Sequence, residues 1–274
     1  MNITIFGATG FLGEALVARK HNTDAITAVA RNEKNLVSLK NKYPDIKIYT
    51  GDISDTHTTY TTMKEADAVY IFSAVKGVDI AEQQPFEICK TNVIGVMNVL
   101  DESTYWKPKY IIFTSTDKAA QVSGVYGATK LLGERLMQEF EKINDETKYR
   151  TVRYGNVLGS SGSFLPKWID KISRGEAIQI TDPDMTRFFW TREDALDLID
   201  ECLVNATDAT PYIPKNMKSI RIGDIAEAVM RKYGRGPIEI IGNRGGENTH
   251  ETLDGKVFSN EVEQFTVDEI MKLI

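Results

Sequence analysis

The chain has 274 residues and 42% of them are hydrophobic, which is enough for one large α/β domain or for a domain with a smaller lobe. Its formal net charge of −6 at pH 7 argues against a surface that attracts nucleic acid or anionic membranes. Cys89 and Cys202 lie in helical patterns and offer no disulfide framework or metal spacing. No signal peptide and no apolar run of about 20 residues is recognisable, so the sequence predicts a soluble, cytoplasmic protein without a membrane anchor.

The first strand, predicted over residues 2–6, leads into the stretch GATGFLG and then into a helical pattern. Gly7 permits a tight turn, Gly10 lets the backbone approach a pyrophosphate, and Gly13 lets the helix pack closely on the strand. The amino end of such a helix offers free N–H groups and a positive dipole to phosphates. The alternative is a tight turn that binds no ligand. We predict a dinucleotide site formed here by Gly7, Thr9, Gly10, Phe11, Leu12 and Gly13.

The second predicted strand, residues 25–30, is followed by Arg31 and not by the acidic residue that would accept a hydrogen bond from the ribose of NAD. An arginine suits a 2′-phosphate through its charge and its planar set of donors, so the sequence favours NADP over NAD. The alternative is a surface arginine at a helix start. Asp52 and Ile53 end the third strand and are predicted to flank the adenine ring, and Asp55 is predicted to cap the next helix.

The fourth strand ends in Ser73 and Ala74, small residues that allow the backbone to lie close to a cofactor. Lys76 is predicted to meet a phosphate or a sugar of the substrate, with a solvated lysine as the alternative. A long amphipathic helix is predicted over residues 85–106. Asn92, in its middle, is predicted to tie together the site edge of the sheet and to belong to the cofactor site.

Tyr126 and Lys130 open the helix that follows the fifth strand, and residues four apart on a helix share one face. The ammonium of Lys130 is expected to favour the phenolate of Tyr126 and to move its pKa from about 10 toward neutrality. Thr116, Asp117 and Lys118 stand at the carboxyl end of that strand, where open parallel sheets place their chemistry. Taken singly, these motifs also fit an amphipathic helix and a helix cap. In this order after a nucleotide-binding loop, they predict one catalytic site.

Strands and helices alternate as far as a sixth strand, YRTVRYGNVLG, which demands a parallel sheet with helices on both faces and right-handed crossovers. After Asn156 the pattern changes to loop, helix and short strand, and MTRFFWTREDALDLIDECL is predicted to return to a helix. The predicted fold class is therefore α/β, a doubly wound parallel sheet of the Rossmann type with a smaller C-terminal α/β lobe that binds substrate. We assign residues 1–155 to the NADP-binding domain, with 190–204 returning to it. Residues 156–189 and 205–274 are assigned to the lobe.

A buried cation is expected in that lobe, because Arg187 lies between the apolar residues Met185 and Phe188. An arginine in such surroundings needs an anionic partner. The partner is either a ligand or a salt bridge within the lobe.

Several stretches resemble a known family. GATGFLG, the Tyr126–Lys130 pair and RYGNV followed by an Arg–Phe step resemble the extended short-chain dehydrogenase/reductases that act on nucleotide sugars. Further stretches resemble the UDP-N-acetylglucosamine 4,6-dehydratases among them: FTSTDKAA with YGATK, PFEICKTNVIGVMNVL, RYGNVLGSSGSFLPKW, ITDPDMTRFFW and GGENTHETL. With a tyrosine at position 126, the chain resembles the short, soluble branch of this family, which inverts C-5. The resemblance extends to about Leu253, although AAQVSGVYG lacks the usual Asn-Pro before the tyrosine.

The resemblance implies a redox-neutral dehydration of a UDP-sugar with tightly bound NADP, or alternatively NAD. Tyr126 would take the proton of the C-4 hydroxyl and Lys118 the proton of C-5, provided that burial and nearby cations lower the pKa of Lys118 toward neutrality. Asp117, kept protonated by burial, would protonate the departing C-6 hydroxyl, while Thr116 orients the sugar. The candidates for the diphosphate end of the substrate are Asn156, Lys167 and Arg187.

Two other functions stay open. A 4-epimerase or reductase of the same fold would need the Tyr126–Lys130 unit but would leave Asp117 and Lys118 unexplained. A dinucleotide-sensing protein without catalysis would keep the fold but could dispense with Tyr126. The resemblance also implies a homo-oligomer and a role in the synthesis of a surface glycan.

Overall fold

The computed structural model describes residues 1–160, 164–242 and 247–274. Residues 161–163 of the glycine–serine loop that is predicted after Asn156 lie outside this range, and so do the two glycines of GGENTHETL at positions 245 and 246. None of the helices in the described residues combines the length and the apolar character needed to cross a bilayer.

Six parallel strands form the main sheet: β1 (Asn2–Phe6), β2 (Ala25–Ala30), β3 (Lys47–Thr50), β4 (Ala68–Ile71), β5 (Tyr110–Thr116) and β6 (Lys148–Tyr154). Their order across the sheet is β3-β2-β1-β4-β5-β6. Ile3 of β1 lies opposite Ile26 of β2 on one side and Ala68 of β4 on the other. The chain therefore reverses its direction of winding between β1 and β4, which confirms the predicted doubly wound sheet.

Helices cover both faces of this sheet, as predicted. The helices of the described residues, of which α8, α10 and α11 lie in the C-terminal part, are α1 (Phe11–Lys20), α2 (Glu33–Lys42), α3 (Thr56–Met63), α4 (Val78–Gln83), α5 (Pro85–Cys89), α6 (Gly95–Trp106), α7 (Val125–Ile143), α8 (Phe164–Ser173), α9 (Arg192–Asn205), α10 (Ile222–Tyr233) and α11 (Val267–Leu273). Leu16, Leu36 and Leu196 from α1, α2 and α9 belong to one buried layer of the core. Met63 of α3 and Met137 of α7 belong to a second layer, so each face of the sheet is buried.

Local signals account for several helix boundaries. The carboxylate of Asp55 accepts a hydrogen bond from the backbone N–H of His57 at 3.1 Å, so it caps α3 as predicted. Pro85 stands in the first turn of α5, where its missing N–H costs nothing. A π-helical turn, Lys90–Ile94, joins α5 to α6, so the long helix predicted there is interrupted in its middle.

The C-terminal part of the chain adds five short strands: β7 (Asn156–Val157), β8 (Ile178–Ile180), β9 (Thr186–Trp190), β10 (Ser219–Arg221) and β11 (Ile238–Ile240). They form two small sheets, one with the order β10-β9-β7 and the other pairing β11 with β8. Trp168, Phe189 and Ile225 lie in a separate buried core that α8, α10 and α11 share with these strands.

Two sequence predictions are wrong in this region. The sixth strand was expected to continue through RYGNVLG, but β6 ends at Tyr154 and Asn156 pairs with Phe189 of β9. The chain crosses β9 so closely at Gly155 that an added Cβ would lie 2.7 Å from the carbonyl oxygen of Phe188. Residues 186–190 were also not predicted to form a strand. All of them are buried, so the alternation that marks a half-exposed strand is absent.

Candidate active site

The loops after β1 and β4 meet at the point where the winding of the sheet reverses. Gly7 has a φ of +85°, and a Cβ added to it would lie 2.7 Å from the backbone nitrogen of Ser73. A Cβ on Gly13 would lie 2.3 Å from the carbonyl oxygen of Gly7. Gly10 is exposed at the start of α1. The glycine stretch therefore forms a cradle of bare backbone beside the amino end of a helix, and side chains would fill it.

The other residues of the predicted dinucleotide set lie around this cradle. Thr9, Phe11 and Leu12 continue the loop into α1, and the ring centroid of Phe11 is 5.2 Å from the guanidinium carbon of Arg192. Ala74 follows Ser73 on the loop after β4.

Arg31 and Asp52 lie at the carboxyl ends of β2 and β3. A guanidinium nitrogen of Arg31 lies 3.7 Å from a carboxylate oxygen of Asp52, and 67% of the Arg31 side chain is exposed. Asp52 also accepts hydrogen bonds from the backbone and the hydroxyl of Ser54. Ile53 is buried against Gly95, whose added Cβ would lie 2.5 Å from the Ile53 side chain. Since exposed ion pairs are weak, the Arg31 guanidinium is free to take another anion.

Asn92 connects the loop after β4 to helix α7. Its side-chain oxygen accepts from the backbone nitrogen of Val75 at 2.8 Å, and its amide donates to the Val75 carbonyl at 3.0 Å and to the Thr129 hydroxyl at 3.2 Å. The residue is buried within the π-helical turn. The tie that the sequence predicted is therefore present, and it fixes the backbone next to Lys76, whose side chain is exposed.

Lys130 lies on the buried face of α7, against the carboxyl half of β5. Its ammonium donates to the carbonyl of Thr114 at 2.8 Å and lies 4.5 Å from the ring centroid of Phe113. Burial lowers the pKa of Lys130 to about 8, although the carboxylate of Glu134 acts in the opposite direction. The side chain is thus fixed below the site with its charge disfavoured.

Asp117 and Lys118 form a short 3₁₀ turn, Asp117–Ala119, directly after β5. One carboxylate oxygen of Asp117 accepts from the Thr116 hydroxyl at 2.7 Å, from the Lys118 backbone at 2.9 Å and from the Lys118 ammonium at 3.2 Å. The other carboxylate oxygen is buried and has no hydrogen-bond partner among the described residues. A buried acceptor without a partner is costly, so this oxygen is suited to meet a ligand.

The turn after β5 faces the phenol of Tyr126. Burial raises the pKa of Tyr126 to about 12; the ammonium of Lys118 and a hydrogen bond with Thr116 lower it, while Asp117 raises it. The structure thus brings these four predicted residues together at the carboxyl edge of the sheet. In addition to the predicted Lys130, the structure gives the Tyr126 phenol a second cation, because the ammonium of Lys118 lowers its pKa.

Lys118 itself is not the weakly basic amine that the sequence predicted. Burial lowers the pKa of Lys118, but the carboxylates of Asp117 and Glu251 outweigh that effect and raise it to about 12. The prediction considered burial and neighbouring cations and missed Glu251, whose carboxylate lies 3.5 Å from the Lys118 ammonium. Glu251 stands in GGENTHETL, but nothing in its spacing pointed to Lys118.

Arg187 joins this cluster from β9. Its Nε lies 3.9 Å from the Glu251 carboxylate, and one terminal nitrogen donates to the carbonyls of Thr186 and Thr249 at 2.8 and 3.0 Å. The anionic partner that the sequence demanded is therefore present within the described residues as Glu251. The two other candidates for the diphosphate end are placed differently: Asn156 is half-buried on β7, and Lys167 is exposed on α8.

Comparison with known proteins identifies the family. A family model described as "Polysaccharide biosynthesis protein" matches residues 3–273. The chain belongs to this polysaccharide biosynthesis protein family. A member of the family from Methanocaldococcus jannaschii, described as an uncharacterized membrane protein, is 37% identical over 265 residues, which cover 92% of this chain and 79% of the relative.

Two relatives are similar to this chain in sequence identity but are named for different activities. A UDP-N-acetylglucosamine 4,6-dehydratase (inverting) of Campylobacter jejuni is 34% identical, with 92% of this chain and 77% of that one covered. A UDP-glucose 4-epimerase of Rickettsia bellii is 33% identical, with 92% and 76% covered. These relatives confirm the resemblance to extended short-chain dehydrogenase/reductases and show that the chain belongs among nucleotide-sugar dehydratases and epimerases.

Solved structures agree on the fold. The structure of Pen from Bacillus thuringiensis superposes with a TM-score of 0.87 at 32% identity, over 92% of this chain and 80% of the other. A dTDP-glucose 4,6-dehydratase from Streptomyces venezuelae, solved with NAD and TYD bound, has a TM-score of 0.84 at 17% identity, over 100% and 95% of the two chains. At that identity the second likeness establishes the fold alone.

Proposed function

We propose that this protein is a nucleotide-sugar 4,6-dehydratase that acts on UDP-N-acetylglucosamine, inverts C-5 and gives a 4-keto-6-deoxy sugar for a surface glycan. The observation that supports this choice is the turn of Asp117 and Lys118 facing Tyr126 in one buried cluster. A 4-epimerase requires a base for the C-4 hydroxyl and has no use for a second acid and amine. A sensor protein has no use for any of them.

The glycine cradle fits a nicotinamide dinucleotide, since its bare backbone and helix end suit a pyrophosphate. When bound, the nicotinamide supplies a hydride acceptor for C-4 and a hydride donor for C-6. We propose NADP as the cofactor, because Arg31 is exposed where the 2′-phosphate of the adenosine would lie. NAD is the alternative, and the dTDP-glucose dehydratase of the same fold was solved with NAD.

Substituting Arg31 separates these two cofactors. Arg31→Ala is expected to weaken NADP binding about tenfold or more, because a charge-assisted contact is lost, and to leave NAD binding nearly unchanged. Calorimetry with the two dinucleotides measures this difference, and Lys34→Ala, an exposed cation on α2, is the matched control. Equal losses for both dinucleotides would argue against a 2′-phosphate contact.

Oxidation at C-4 begins with Tyr126. Its phenolate takes the proton of the C-4 hydroxyl as the hydride leaves that carbon. Burial opposes the phenolate, and the nearby Lys118 ammonium offsets part of this effect. We do not assign this proton transfer to Lys130, because its ammonium donates a hydrogen bond to the Thr114 carbonyl beneath the site.

Elimination then needs an acid and a base at once, and the pair of Asp117 and Lys118 can supply both. Transfer of one proton from the Lys118 ammonium to the Asp117 carboxylate gives a neutral amine and a carboxylic acid without changing the number of protons held. The amine takes the proton of C-5, and the acid gives its proton to the departing C-6 hydroxyl, which leaves as water. The ion pair is thereby restored. A bound dinucleotide would reduce C-6, and a water molecule on the opposite face would protonate C-5. Release of the proton held by Tyr126 to that water balances the sequence, which is a net loss of one water.

Contacts to the rest of the substrate belong to the proposal as well. We include Lys76, Lys167 and Asn156 as contacts to the sugar or the diphosphate; the two lysines are exposed and the asparagine is half-buried. Arg187 donates to two backbone carbonyls and faces the Glu251 carboxylate. A substrate would therefore contact the part of the Arg187 guanidinium that these three groups leave unoccupied.

Product analysis by NMR in deuterated water tests the function. Incubation with UDP-N-acetylglucosamine and no added reductant should give a product that is one water lighter and carries deuterium at C-5. A product of unchanged mass with inverted C-4 would identify an epimerase. Dinucleotide binding without any product from a panel of nucleotide sugars would identify a sensor.

Lys118→Ala tests the assignment of the base. The variant should bind the nucleotide sugar normally and lose exchange of the C-5 proton with solvent, because the proposed base at that carbon is removed. Lys64→Ala, an exposed lysine at the end of α3, is the control and should behave as the wild type. Normal turnover by Lys118→Ala would exclude Lys118 as the base.

A further inference from the structure

Glu251 is a buried carboxylate that reaches the active-site turn from the C-terminal part of the chain. Its side chain is 1% exposed, and one of its oxygens lies 3.5 Å from the ammonium of Lys118 and 3.9 Å from Nε of Arg187. The Lys118 ammonium therefore lies between two carboxylates, that of Glu251 and that of Asp117 at 3.2 Å. The ion pairs of Glu251 with Lys118 and with Arg187 thus link the turn after β5 to β9.

The segment around Glu251 is held firmly on β9. The Ser259 hydroxyl accepts from the Glu251 backbone at 3.0 Å and donates to the Thr186 carbonyl at 3.0 Å. The Ser259 backbone in turn donates to the Glu251 carbonyl at 2.8 Å. The second carboxylate oxygen of Glu251 accepts from the Asn248 amide at 3.3 Å. These contacts hold the backbone of Glu251 against β9, and the carboxylate, bonded to Asn248 on one oxygen, faces Lys118 with the other.

We propose that Glu251 is a positioning residue of the active site: it holds the Lys118 ammonium against Asp117 and retains the proton that Lys118 and Asp117 share. This inference rests on the proposed dehydratase function, since that shared proton is the one given to the departing hydroxyl. In this role Glu251 acts through the Lys118 ammonium, 3.5 Å from its carboxylate.

The charged and titratable groups around Lys118 give the direction of the effect. Asp117 from the same turn, Glu251 from the C-terminal segment and Tyr126 from α7 favour the ammonium, whereas Arg187 from β9 disfavours it. Neutralising Glu251 removes one of the two close anions and leaves Arg187 uncompensated. The Asp117–Lys118 pair should then lose its shared proton at a lower pH than in the wild type.

A direct readout of Lys118 tests this without any reference to activity. Lysine side chains labelled with ¹³C at Cε are titrated by NMR, and the Lys118 signal is assigned from its absence in Lys118→Arg. Glu251→Gln should shift the titration of Lys118 downward by about one pH unit or more, a tenfold loss of proton affinity. Glu263→Gln removes an exposed carboxylate paired with Lys218 and should not shift it. An unchanged Lys118 titration in folded Glu251→Gln would overturn the inference.

Glu251→Asp keeps the charge and serves as the second variant. It should show a smaller shift than Glu251→Gln, because the carboxylate is retained but withdrawn by one methylene. If Glu251→Gln proves unfolded by circular dichroism, Glu251→Asp decides: a downward shift supports the inference, and an unchanged titration contradicts it.

The pH profile of water loss gives the catalytic consequence. Tyr126 acts as a phenolate, so turnover at saturating substrate depends on pH in the wild type as well, and the ratio of Glu251→Gln turnover to wild-type turnover isolates the effect of Glu251. This ratio should fall on the alkaline side, approaching tenfold per pH unit once the Asp117–Lys118 pair of the variant has lost its proton, with KM nearly unchanged. A structural role would instead lower the rate equally at every pH, and that result would overturn the inference. Failure of the wild type to release water would refute the dehydratase function while the NMR titration still reports on Glu251.

Discussion

Two buried groups of charges lie close together at the carboxyl ends of β5 and β6, and they differ in how completely their polar atoms are paired. In the first, Arg153 of β6 bonds both carboxylate oxygens of Glu134 on α7, with Nε at 2.9 Å from one of them. Ser115 adds a hydrogen bond to the same carboxylate at 2.5 Å, and the Leu253 carbonyl accepts from Arg153 at 2.6 Å. Both oxygens of the carboxylate are thus hydrogen-bonded.

The second group, around Asp117 and Lys118, is incomplete. Its ion-pair distances run from 3.2 to 3.9 Å, and one oxygen of Asp117 has no hydrogen-bond partner in the described residues. A complete network stabilises one arrangement, whereas an incomplete one keeps polar atoms available for a ligand. The comparison indicates that Glu134 and Arg153 hold the fold together and that Asp117 and Lys118 are positioned for chemistry.

The largest expected effect is on activity, at Asp117. Asp117→Asn removes the proton donor and should lower water loss by about 10²- to 10⁴-fold, while stability changes by about 1 kcal/mol or less. Turnover by mass spectrometry and urea unfolding measure the two quantities. Asp45→Asn, at an exposed position before β3, should leave both unchanged. If Asp117→Asn were strongly destabilised yet fully active, Asp117 would stabilise the fold and would not be the proton donor.

The next effect is on stability, at the complete network. Glu134→Ala leaves Arg153 buried without its partner and should lower the free energy of unfolding by about 3–5 kcal/mol. Urea unfolding followed by circular dichroism measures this loss. The double variant Glu134→Leu, Arg153→Met should recover most of it, because no charge remains unpaired. A loss below about 1 kcal/mol would mean that the network does not hold the fold together.

A smaller effect depends on pH and concerns Lys130. Burial lowers the pKa of Lys130 from 10.5 to about 8, so between these two pH values the unfolded chain binds a proton that the folded chain does not. The free energy of unfolding of the wild type should therefore rise relative to Lys130→Met, by about 3 kcal/mol, as the pH rises through this window. Below pH 8 the difference should be constant. A constant difference in the free energy of unfolding between the wild type and Lys130→Met across the whole window would contradict a lowered pKa of Lys130.

The smallest effect is expected at an exposed cluster of charges between α1 and α9. Arg19 on α1 pairs with Glu193, Asp197 and Asp200 of α9, and these carboxylates are 41–62% exposed. Exposed pairs contribute little, so Arg19→Met should change the free energy of unfolding by about 0–1 kcal/mol. Raising the salt concentration should reduce even this difference. A loss as large as that of Glu134→Ala would show that exposure does not separate the two kinds of cluster.

Much of the sheet domain was predictable because its signals are local. The first strand, the glycine stretch and the following helix lie within about 20 consecutive residues, and their geometry follows from the residues themselves. Tyr126 and Lys130 are four apart on one helix, and Asp117 and Lys118 are adjacent at a strand end. Parallel strands meet at one edge of the sheet, so the sequence placed these side chains correctly on the same side.

What the sequence determined by itself was the order of strands in the main sheet, the glycine stretch and the identity of the acid, the amines and the phenol at the strand ends, because each follows from neighbours in the chain. Only the tertiary structure decided which charges act on which. Packing of the C-terminal segment against β9 brought Glu251 to Lys118, and the fold of β5 gave the ammonium of Lys130 a hydrogen bond to the Thr114 carbonyl. Electrostatic effects depend on distance in space and on burial, and neither can be read from separation along the chain.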